Sequence, residues 1–244
     1  MAQALLPLKD LVEAQSRLAG LLRPSERRAL AQAMVEDVLG VLSGHPGISQ
    51  ITLVSDDPGA DLLARKYGAD CWSENSLGCR GLNPLIRCAS ERLLAGAEEP
   101  VLVVLHGDLP LLTAEDISVV LDSQRQLGGL ILGCDRQGRG TNLLAFNAAS
   151  MPDFCFGADS CAGHMASASK VGVPAHILQR TGISVDVDDA QDLKCVMREL
   201  HLKSDSNTAQ LLNNTELGAR VTLALADMPA DAGLIDDMNR GMAS

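Results

Sequence analysis

Aromatic residues are almost absent from this chain of 244 residues: one Trp, one Tyr and three Phe make up 2% of it. Proteins that bind single-stranded nucleic acid use such rings as stacking platforms, and a net charge of −11 opposes a phosphate backbone. These two deficits exclude nucleic acid as an expected partner. An anionic small molecule is still compatible with this net charge, because a few local cations or a metal ion can make the electrostatic potential inside a cleft positive.

Long apolar runs are missing as well. The longest runs are strand-sized, such as VLVVL at 101–105, whereas a membrane-spanning helix needs about 20 apolar residues. The opening MAQALLPLKD has neither the cationic start nor the apolar length of a secretory signal. We therefore expect a cytoplasmic protein that does not enter a membrane.

The seven cysteines include no C-x-x-C pair, and their number is odd. Without an export signal, we expect reduced and buried thiols rather than a disulfide framework. Cys155, Cys161 and His164 form the only cluster that merits comparison with a metal site. Their C-x5-C-x2-H spacing matches no common zinc pattern, so ordinary buried side chains are the preferred interpretation.

Aliphatic residues are abundant: the hydrophobic content is 46% with almost no rings, which predicts a sizeable aliphatic core. Strand-like and helix-like segments alternate, which predicts an α/β fold with three layers, α/β/α, around a mostly parallel mixed sheet. Strands are predicted at 4–8, 50–57, 69–74, 101–105, 129–136, 141–147, 175–180 and 183–188. Helices are predicted from Pro24 onward and at 59–69, 83–97, 113–126, 160–172 and 190–200.

The strand-helix rhythm stops beyond about Ser204, where Asn, Asp and Gly are scattered through a more polar stretch. We predict one domain over 1–203, followed by a polar and partly helical appendage over 204–244. An exposed edge of the sheet would also allow two copies to pair as a homodimer.

Polar side chains follow several of the predicted strands, at Lys9, Ser55, Asp56, Asp108, Asp186, Asp188 and Asp189. Ligands of open α/β sheets bind beyond the carboxyl ends of the strands. Two carboxylates that converge there would form a hard oxygen site suited to Mg²⁺, which can bridge nucleotide phosphates during phosphoryl or nucleotidyl transfer. Lys9 and Arg17 would be the cations beside those phosphates.

Each of these residues also has an interpretation without a function. An Asp before Leu-Pro, as at Asp108, is typical of a turn, and either Asp188 or Asp189 is placed to cap the next helix. Lys9 and Arg17 are otherwise ordinary solvated cations. The stretch FGADS at 156–160 is either an anion site at a helix start or a plain N-cap.

Six segments occur in an order that is typical of one enzyme family. They are PLKDLVEAQSRLAGLLRPSERRALAQAM at 7–34, GLNPLI at 81–86, GDLPLLTAEDI at 107–117, DRQGRGTNLL at 135–144, FCFGADSCAGH at 154–164 and SVDVDDAQDL at 184–193. Together they resemble the 2-phospho-L-lactate guanylyltransferase family from about Leu5 to about Val196.

The resemblance implies a nucleotide-diphospho-sugar transferase-like fold. It also implies a reaction of GTP with a small phosphorylated three-carbon acid, giving a guanosine diphospho-acid and pyrophosphate for coenzyme F-420 biosynthesis. Members of the family differ in using 2-phospho-L-lactate, phosphoenolpyruvate or 3-phospho-D-glycerate, and the sequence does not choose among these acids.

The resemblance also assigns roles to residues. It implies that Asp108 and Asp188 bind the metal and that they form the catalytic set with Lys9. The other implied contacts are with the phosphorylated acid at Thr141, Gly157 and Ser160, and with the nucleotide at Lys9, Arg17 and Asn83.

Two positions depart from the family's motifs. The lysine of A-K-S-R-L is Gln15 here, which removes a cation from the nucleotide loop. The D-T-P motif is Asp188-Asp189-Ala190, which adds an acid. Asp189 either raises metal affinity or caps the final helix and leaves Asp188 as the ligand.

Three other functions remain open. A nucleotidyltransferase for a sugar phosphate or a molybdopterin is one, although the glycine-rich loop expected after its first strand is missing from PLKDLVEAQSRL. A glycosyltransferase would use Asp186-Val187-Asp188 as a D-x-D metal motif. A catalytically silent nucleotide-binding protein is supported by Gln15.

Overall fold

A sheet of seven strands runs through the computed structural model, which describes residues 1–9, 11, 15–95, 101–200 and 205–226. The strands are β1 Ala2–Pro7, β2 Ile48–Val54, β3 Asp70–Trp72, β4 Val101–Leu105, β5 Leu130–Cys134, β6 Thr141–Phe146 and β7 Ala175–Leu178. Their order in the sheet is β3-β2-β1-β4-β6-β5-β7. Only β6 runs antiparallel to its neighbours, β4 and β5. The predicted mixed, mostly parallel sheet is therefore confirmed.

Helices cover both faces of the sheet. In the described residues they are α1 Pro24–Gly44, α2 Ala60–Lys66, α3 Glu74–Leu77, α4 Leu82–Leu94, α5 Ala114–Leu127, α6 Ser160–Lys170, α7 Thr181–Ser184, α8 Ala190–Leu200, α9 Asn207–Asn213 and α10 Glu216–Ala226. None of them is long and apolar enough to cross a membrane.

Strand β4 shows why the chain needs a continuous apolar run in its middle. Side chains alternate between the two faces of a strand, so Val103 and Leu105 pack against α1 and α5. Leu102 and Val104 point to the opposite face and pack with α4 and α6. A strand buried on both faces therefore reads VLVVL rather than as an alternating pattern, and the three predicted layers are confirmed.

The predicted helix start at α5 is also confirmed. Thr113 Oγ1 accepts a hydrogen bond from the Asp116 backbone N–H at 3.1 Å, and Asp116 Oδ2 accepts one from the Thr113 N–H at 2.9 Å. This reciprocal capping box satisfies two backbone donors that a helix start leaves unpaired. Pro24 likewise occupies the first turn of α1, as predicted.

The strand predicted at 183–188 is wrong. Residues 181–184 form α7, and the chain then crosses the end of the sheet without joining it. Ile183, Val185 and Val187 are buried as the pattern requires, but Ser184 between them is buried as well, so the burial does not alternate as in a strand. Both edges of β6 are already paired, and β5 is flanked by β6 and β7. The segment is held instead by the Asn142 side chain, whose Nδ2 donates to the Ile183 carbonyl at 3.0 Å.

The expectation of reduced thiols is wrong for four of the seven cysteines. Disulfides join Cys79 to Cys88 and Cys134 to Cys161, while Cys71, Cys155 and Cys195 are free. The second bond connects the end of β5 to the first turn of α6. These pairs arise from the packing of a loop on α4 and of α6 on β5, which cysteine spacing alone does not reveal.

Helices α9 and α10 pack against α1, α8 and the 3-10 turn at Ser16–Gly20. Their buried side chains include Leu212, Val221 and Leu225, which share one cluster with Leu30 and Met34 of α1. The boundary predicted between residues 203 and 204, and residues 227–244, lie outside the described residues. The division into a domain and an appendage stays a prediction.

Asp37 of α1 holds the start of α9. Its Oδ1 accepts from the Asn207 backbone N–H at 2.6 Å and its Oδ2 from the Thr208 N–H at 3.0 Å. Because hydrogen bonds to a charged group are among the strongest in proteins, we expect Asp37→Ala to lower the free energy of unfolding by about 2 kcal/mol in urea titrations. The matched control is Asp122→Ala, which removes an exposed carboxylate that forms an ion pair with the exposed Arg125. Equal losses in the two variants would contradict an anchoring role for Asp37.

Candidate active site

The predicted site residues meet at one edge of the sheet. Strands β1 and β4 pair in parallel, so Lys9 after β1 and Asp108 after β4 leave the sheet side by side. Because β6 is antiparallel to β4, its first residue, Thr141, lies at this same edge. The His106 backbone N–H donates to the Asn142 carbonyl at 3.1 Å and joins the two strand ends.

Three carboxylates surround the end of β4. The Val187 backbone N–H donates to the Asp108 carbonyl at 3.2 Å, which brings Asp186 and Asp188 beside the loop that follows β4. Burial raises the pKa of Asp108 to about 6, with the charge of Asp188 adding to the effect. Burial likewise raises the pKa of Asp186 to about 7, and the Asp108 carboxylate contributes next. The three acids repel one another, and a cation among them would relieve that repulsion.

Asp108 is the carboxylate best suited to contact a metal ion. Its Oδ1 is buried and has no hydrogen-bond partner in the part of the chain that the structure describes. An unpaired buried carboxylate oxygen is costly, and oxygens of this kind are what Mg²⁺ prefers. Among the described residues no group of three or more His, Cys, Asp or Glu could hold a metal ion. Mg²⁺ nonetheless commonly takes one or two carboxylates and completes its shell with water and substrate phosphates, so the donors fit it.

Asp188 is left available by its neighbour. Asp189 Oδ1 accepts from the backbone N–H groups of Gln191 at 2.8 Å and Asp192 at 3.0 Å, so Asp189 caps α8. Asp188 Oδ2 instead accepts from Arg17 Nη1 at 3.0 Å, with side chains that are 54% and 71% exposed. An ion pair this exposed contributes little to stability. Both partners are therefore free to turn toward a metal ion or a triphosphate at small cost.

The hydroxyl of Thr141 is oriented by His164. The Cys155 backbone N–H donates to His164 Nε2 at 2.9 Å, so that nitrogen carries no proton. Burial lowers the pKa of His164 to about 4, so the ring is neutral and its proton sits on Nδ1, 3.1 Å from Thr141 Oγ1. Thr141 Oγ1 accepts a hydrogen bond from this N–H, which the Ser160 carbonyl also accepts, and the Thr141 hydroxyl can donate its own hydrogen to a ligand. Both ring nitrogens of His164 are thereby occupied, and Cys161 is bonded to Cys134.

Asn83 of α4 holds the backbone of Phe156, the residue directly before the loop at 157–160. Its Oδ1 accepts from the Phe156 N–H at 2.8 Å and its Nδ2 donates to the Phe156 carbonyl at 3.1 Å. Gly157 follows with φ +132°, a conformation that side chains rarely adopt, and Ser160 begins α6 as a buried residue. Asn83 thus positions the loop implied to hold the acid, and its nucleotide contact stays a prediction.

Sequence reasoning missed His106 and Phe156. The Phe156 ring lies edge-on between His106, with centroids 5.3 Å apart, and His164 at 4.8 Å. Burial lowers the pKa of His106 to about 4, and the charge of Lys9 adds to this, so the ring is neutral. These rings lie between the Asp carboxylates at the end of β4 and the loop at 157–160. The available signal was a polar residue directly after a buried strand, in LHGD.

Comparison with known sequences gives one family. A family model described as "Guanylyl transferase CofC like" matches residues 2–223. A phosphoenolpyruvate guanylyltransferase of Chloroflexus aggregans is 36% identical over 194 residues, which cover 78% of this chain and 93% of that protein. A 3-phospho-D-glycerate guanylyltransferase of Phenylobacterium zucineum is 34% identical over 203 residues, covering 81% and 90%.

Solved structures share the fold at low sequence identity. A protein of Desulfovibrio desulfuricans G20, assigned to the nucleotide-diphospho-sugar transferases, has a TM-score of 0.75 at 17% identity and covers 91% of this chain and 98% of its own. A 4-diphosphocytidyl-2C-methyl-D-erythritol synthase has a TM-score of 0.56 at 16% identity, with 80% and 96% covered. Both support the same sheet architecture.

Proposed function

This chain belongs to the CofC-like guanylyl transferase family, as its six sequence segments predicted, and from that premise we propose that it couples GTP to a small phosphorylated three-carbon acid. A phosphate oxygen of the acid attacks the α-phosphorus of GTP and forms a new P–O bond. The bond from the α-phosphorus to the bridging oxygen breaks, and pyrophosphate leaves. The observation that carries the proposal is the Asp108 carboxylate oxygen, buried and without a partner in the described ranges, beside an anion-suited loop at one edge of the sheet.

The two reactants are both anions, so the site has to bring like charges together. Lys9 lies close enough to Asp108 to lower the pKa of that carboxyl, against the larger effect of burial, and is placed to attract a triphosphate. Arg17 can exchange its exposed bond to Asp188 for a phosphate. Bound Mg²⁺, held by Asp108 and Asp188, would supply the charge that screens both anions. The protein then needs no nucleophile of its own, because positioning and charge do the work.

The phosphorylated acid would bind at Thr141 and the loop at 157–160, across His106 from Asp108 and the proposed metal ion. The Thr141 hydroxyl, oriented by His164, donates to a phosphate or carboxylate oxygen. Gly157 leaves the backbone open to close approach. The Cys161 N–H is bonded to the Arg139 carbonyl at 2.9 Å, so the positive end of α6 would favour an anion near Ser160 through its other N–H groups. This arrangement supports an acceptor that carries two negative groups, such as phosphoenolpyruvate, 3-phospho-D-glycerate or 2-phospho-L-lactate.

With such an acceptor the product would serve the biosynthesis of coenzyme F-420. The relatives named above act on phosphoenolpyruvate and 3-phospho-D-glycerate, which makes these two acids the first to test. A cytoplasmic location and pairing into a homodimer stay predictions.

One assay tests the reaction and the acceptor together. Purified protein with Mg²⁺ is incubated with each of the four nucleoside triphosphates and each of the three acids, and pyrophosphate release is followed with mass spectrometry of the product. We expect a guanosine diphospho-acid from GTP and one preferred acid, and none without acid or with excess chelator. Folded protein that makes no product with any of the three acids would contradict the proposal. Sugar phosphates and molybdopterin would then be the next acceptors to test.

A further inference from the structure

A cavity of about 470 Å³ opens at the carboxyl ends of β2 and β3. Its volume is in the range of roughly 300–1,000 Å³ that is typical of small-ligand sites. Its lining includes Asp56, Asp57, Trp72, Ser73 and Arg92. No step of the proposed reaction described so far uses these residues.

The cavity lies beside the proposed triphosphate site. Strands β3, β2, β1 and β4 are adjacent and parallel, so their carboxyl ends share one edge. Neighbouring strands are about 4.8 Å apart, which places the end of β2 about 10 Å from that of β4. A nucleotide with its phosphates at Lys9 and Asp108 can therefore lay its base over β2 and β3.

Asp57 links the cavity to the loop that carries Lys9. Its Oδ2 accepts from the Leu11 backbone N–H at 2.9 Å and its Oδ1 from the Gly59 N–H at 2.6 Å. Both oxygens of this buried carboxylate are occupied by the backbone. Asp57 is therefore a structural residue that holds the Leu11 backbone against the cavity wall.

Asp56 differs from its neighbour because it keeps an acceptor for a ligand. Its side chain is exposed, and Oδ1 accepts from the Glu74 backbone N–H at 3.0 Å. That bond orients the carboxylate and leaves Oδ2, together with the second lone pair of Oδ1, for two adjacent donors in the cavity. Trp72 lines the same space, with the Arg92 guanidinium 4.3 Å from its ring centroid. Flat groups of this kind are suited to contact with a nucleobase.

We propose that this cavity binds the guanine base of GTP and that Asp56 selects it. The identity of the nucleotide rests on the proposed function. A carboxylate only accepts hydrogen bonds, and guanine presents two adjacent donors, N1–H and the 2-amino group. Adenine and cytosine present an amino group beside an acceptor, and uracil presents one donor between two carbonyls. Asp56 therefore favours guanine over the other three bases.

The chain contains its own probe for this site, because Trp72 is its single tryptophan. GDP is the ligand of choice, since it carries the base but cannot react. We expect GDP to change Trp72 fluorescence at concentrations about tenfold lower than ADP, CDP or UDP, the effect of one charge-assisted hydrogen bond. Inosine diphosphate, which lacks the 2-amino group, should bind between these limits.

Asp56→Asn gives the sharper test. The amide oxygen can keep the bond to the Glu74 N–H and turn the NH₂ group toward the base, where it meets the donors of guanine. We expect GDP to bind about tenfold more weakly and xanthosine diphosphate, with a carbonyl at C2, to bind more tightly than to the wild type. The control is Asp122→Asn, which removes the same charge from the exposed Arg125 pair and should leave both affinities unchanged.

The outcomes separate this inference from the proposed reaction. Product formation from GTP without any response of Trp72 to GDP would overturn the base site and leave the transferase proposal standing. A selective response to GDP without product from any acid would support the base site and contradict the acceptor. If folded Asp56→Asn protein kept the wild-type order of nucleotide affinities, Asp56 would not be the selecting residue.

Discussion

Asp108→Asn is expected to lower turnover by about 10³-fold or more while the melting temperature stays unchanged or rises slightly. The loss follows because an amide cannot supply the negative oxygen that a Mg²⁺ site requires. Stability is spared because Oδ1 has no partner to lose among the residues that the structure describes, and because the ionised carboxylate costs the folded protein free energy, as its raised pKa shows. Pyrophosphate release and thermal melting of the same preparations measure the two effects.

Asp135→Asn is the matched control for that experiment. Both of its carboxylate oxygens accept backbone N–H groups, from Arg139 and Gly140 at 2.8 Å, and so hold the turn between β5 and β6. We expect this variant to melt at a lower temperature, in contrast to Asp108→Asn. If Asp108→Asn were the variant that unfolded, Asp108 would be a turn residue and the metal site would lose its main support.

Local chemistry explains which parts of the fold were predictable. The capping box of Thr113 and Asp116, the Pro24 start of α1 and the buried run of β4 each depend on residues that are close in sequence. The segment at 183–188 alternates apolar and polar residues in sequence as a strand does, but every neighbouring strand edge was already paired. Whether an alternating segment joins a sheet depends on which edges are free, and that is a property of the whole topology.

In the site as well, features that depend on the position of a residue along a strand were predictable, and contacts between residues distant in sequence were not. Polar residues at strand ends pointed to Lys9, Asp108 and Asp188, because parallel strands bring their carboxyl ends together. The contacts that orient the loop at 157–160 and the Thr141 hydroxyl link residues far apart in sequence. Asn83 and Phe156 are separated by 73 positions, and Thr141 and His164 by 23. No local pattern indicates that these side chains meet. His106 could have been noticed as a strand-end residue, but its contacts with Phe156 could not.

Thr141→Val is expected to raise the KM for the phosphorylated acid by roughly tenfold to 100-fold and to leave the KM for GTP nearly unchanged. Valine has a similar volume but lacks the hydroxyl that we propose donates to the acid, and a hydrogen bond to a charged group contributes about 1.5–3 kcal/mol. The substitution also removes one acceptor of the His164 Nδ1–H, while the Ser160 carbonyl remains as the other. We therefore expect only a small fall in melting temperature, because the buried donor keeps a partner.

Thr141→Ser separates the two effects of that substitution. Serine keeps the hydroxyl, so it should restore both the bond from His164 and the donor to the acid, with a KM within a few-fold of the wild type. If Thr141→Val lowered stability but left the KM for the acid unchanged, Thr141 would serve only to hold His164. A selective rise in that KM, reversed by serine, would instead identify the hydroxyl as a contact of the acid, because a residue with only a structural role would not alter one substrate and spare the other.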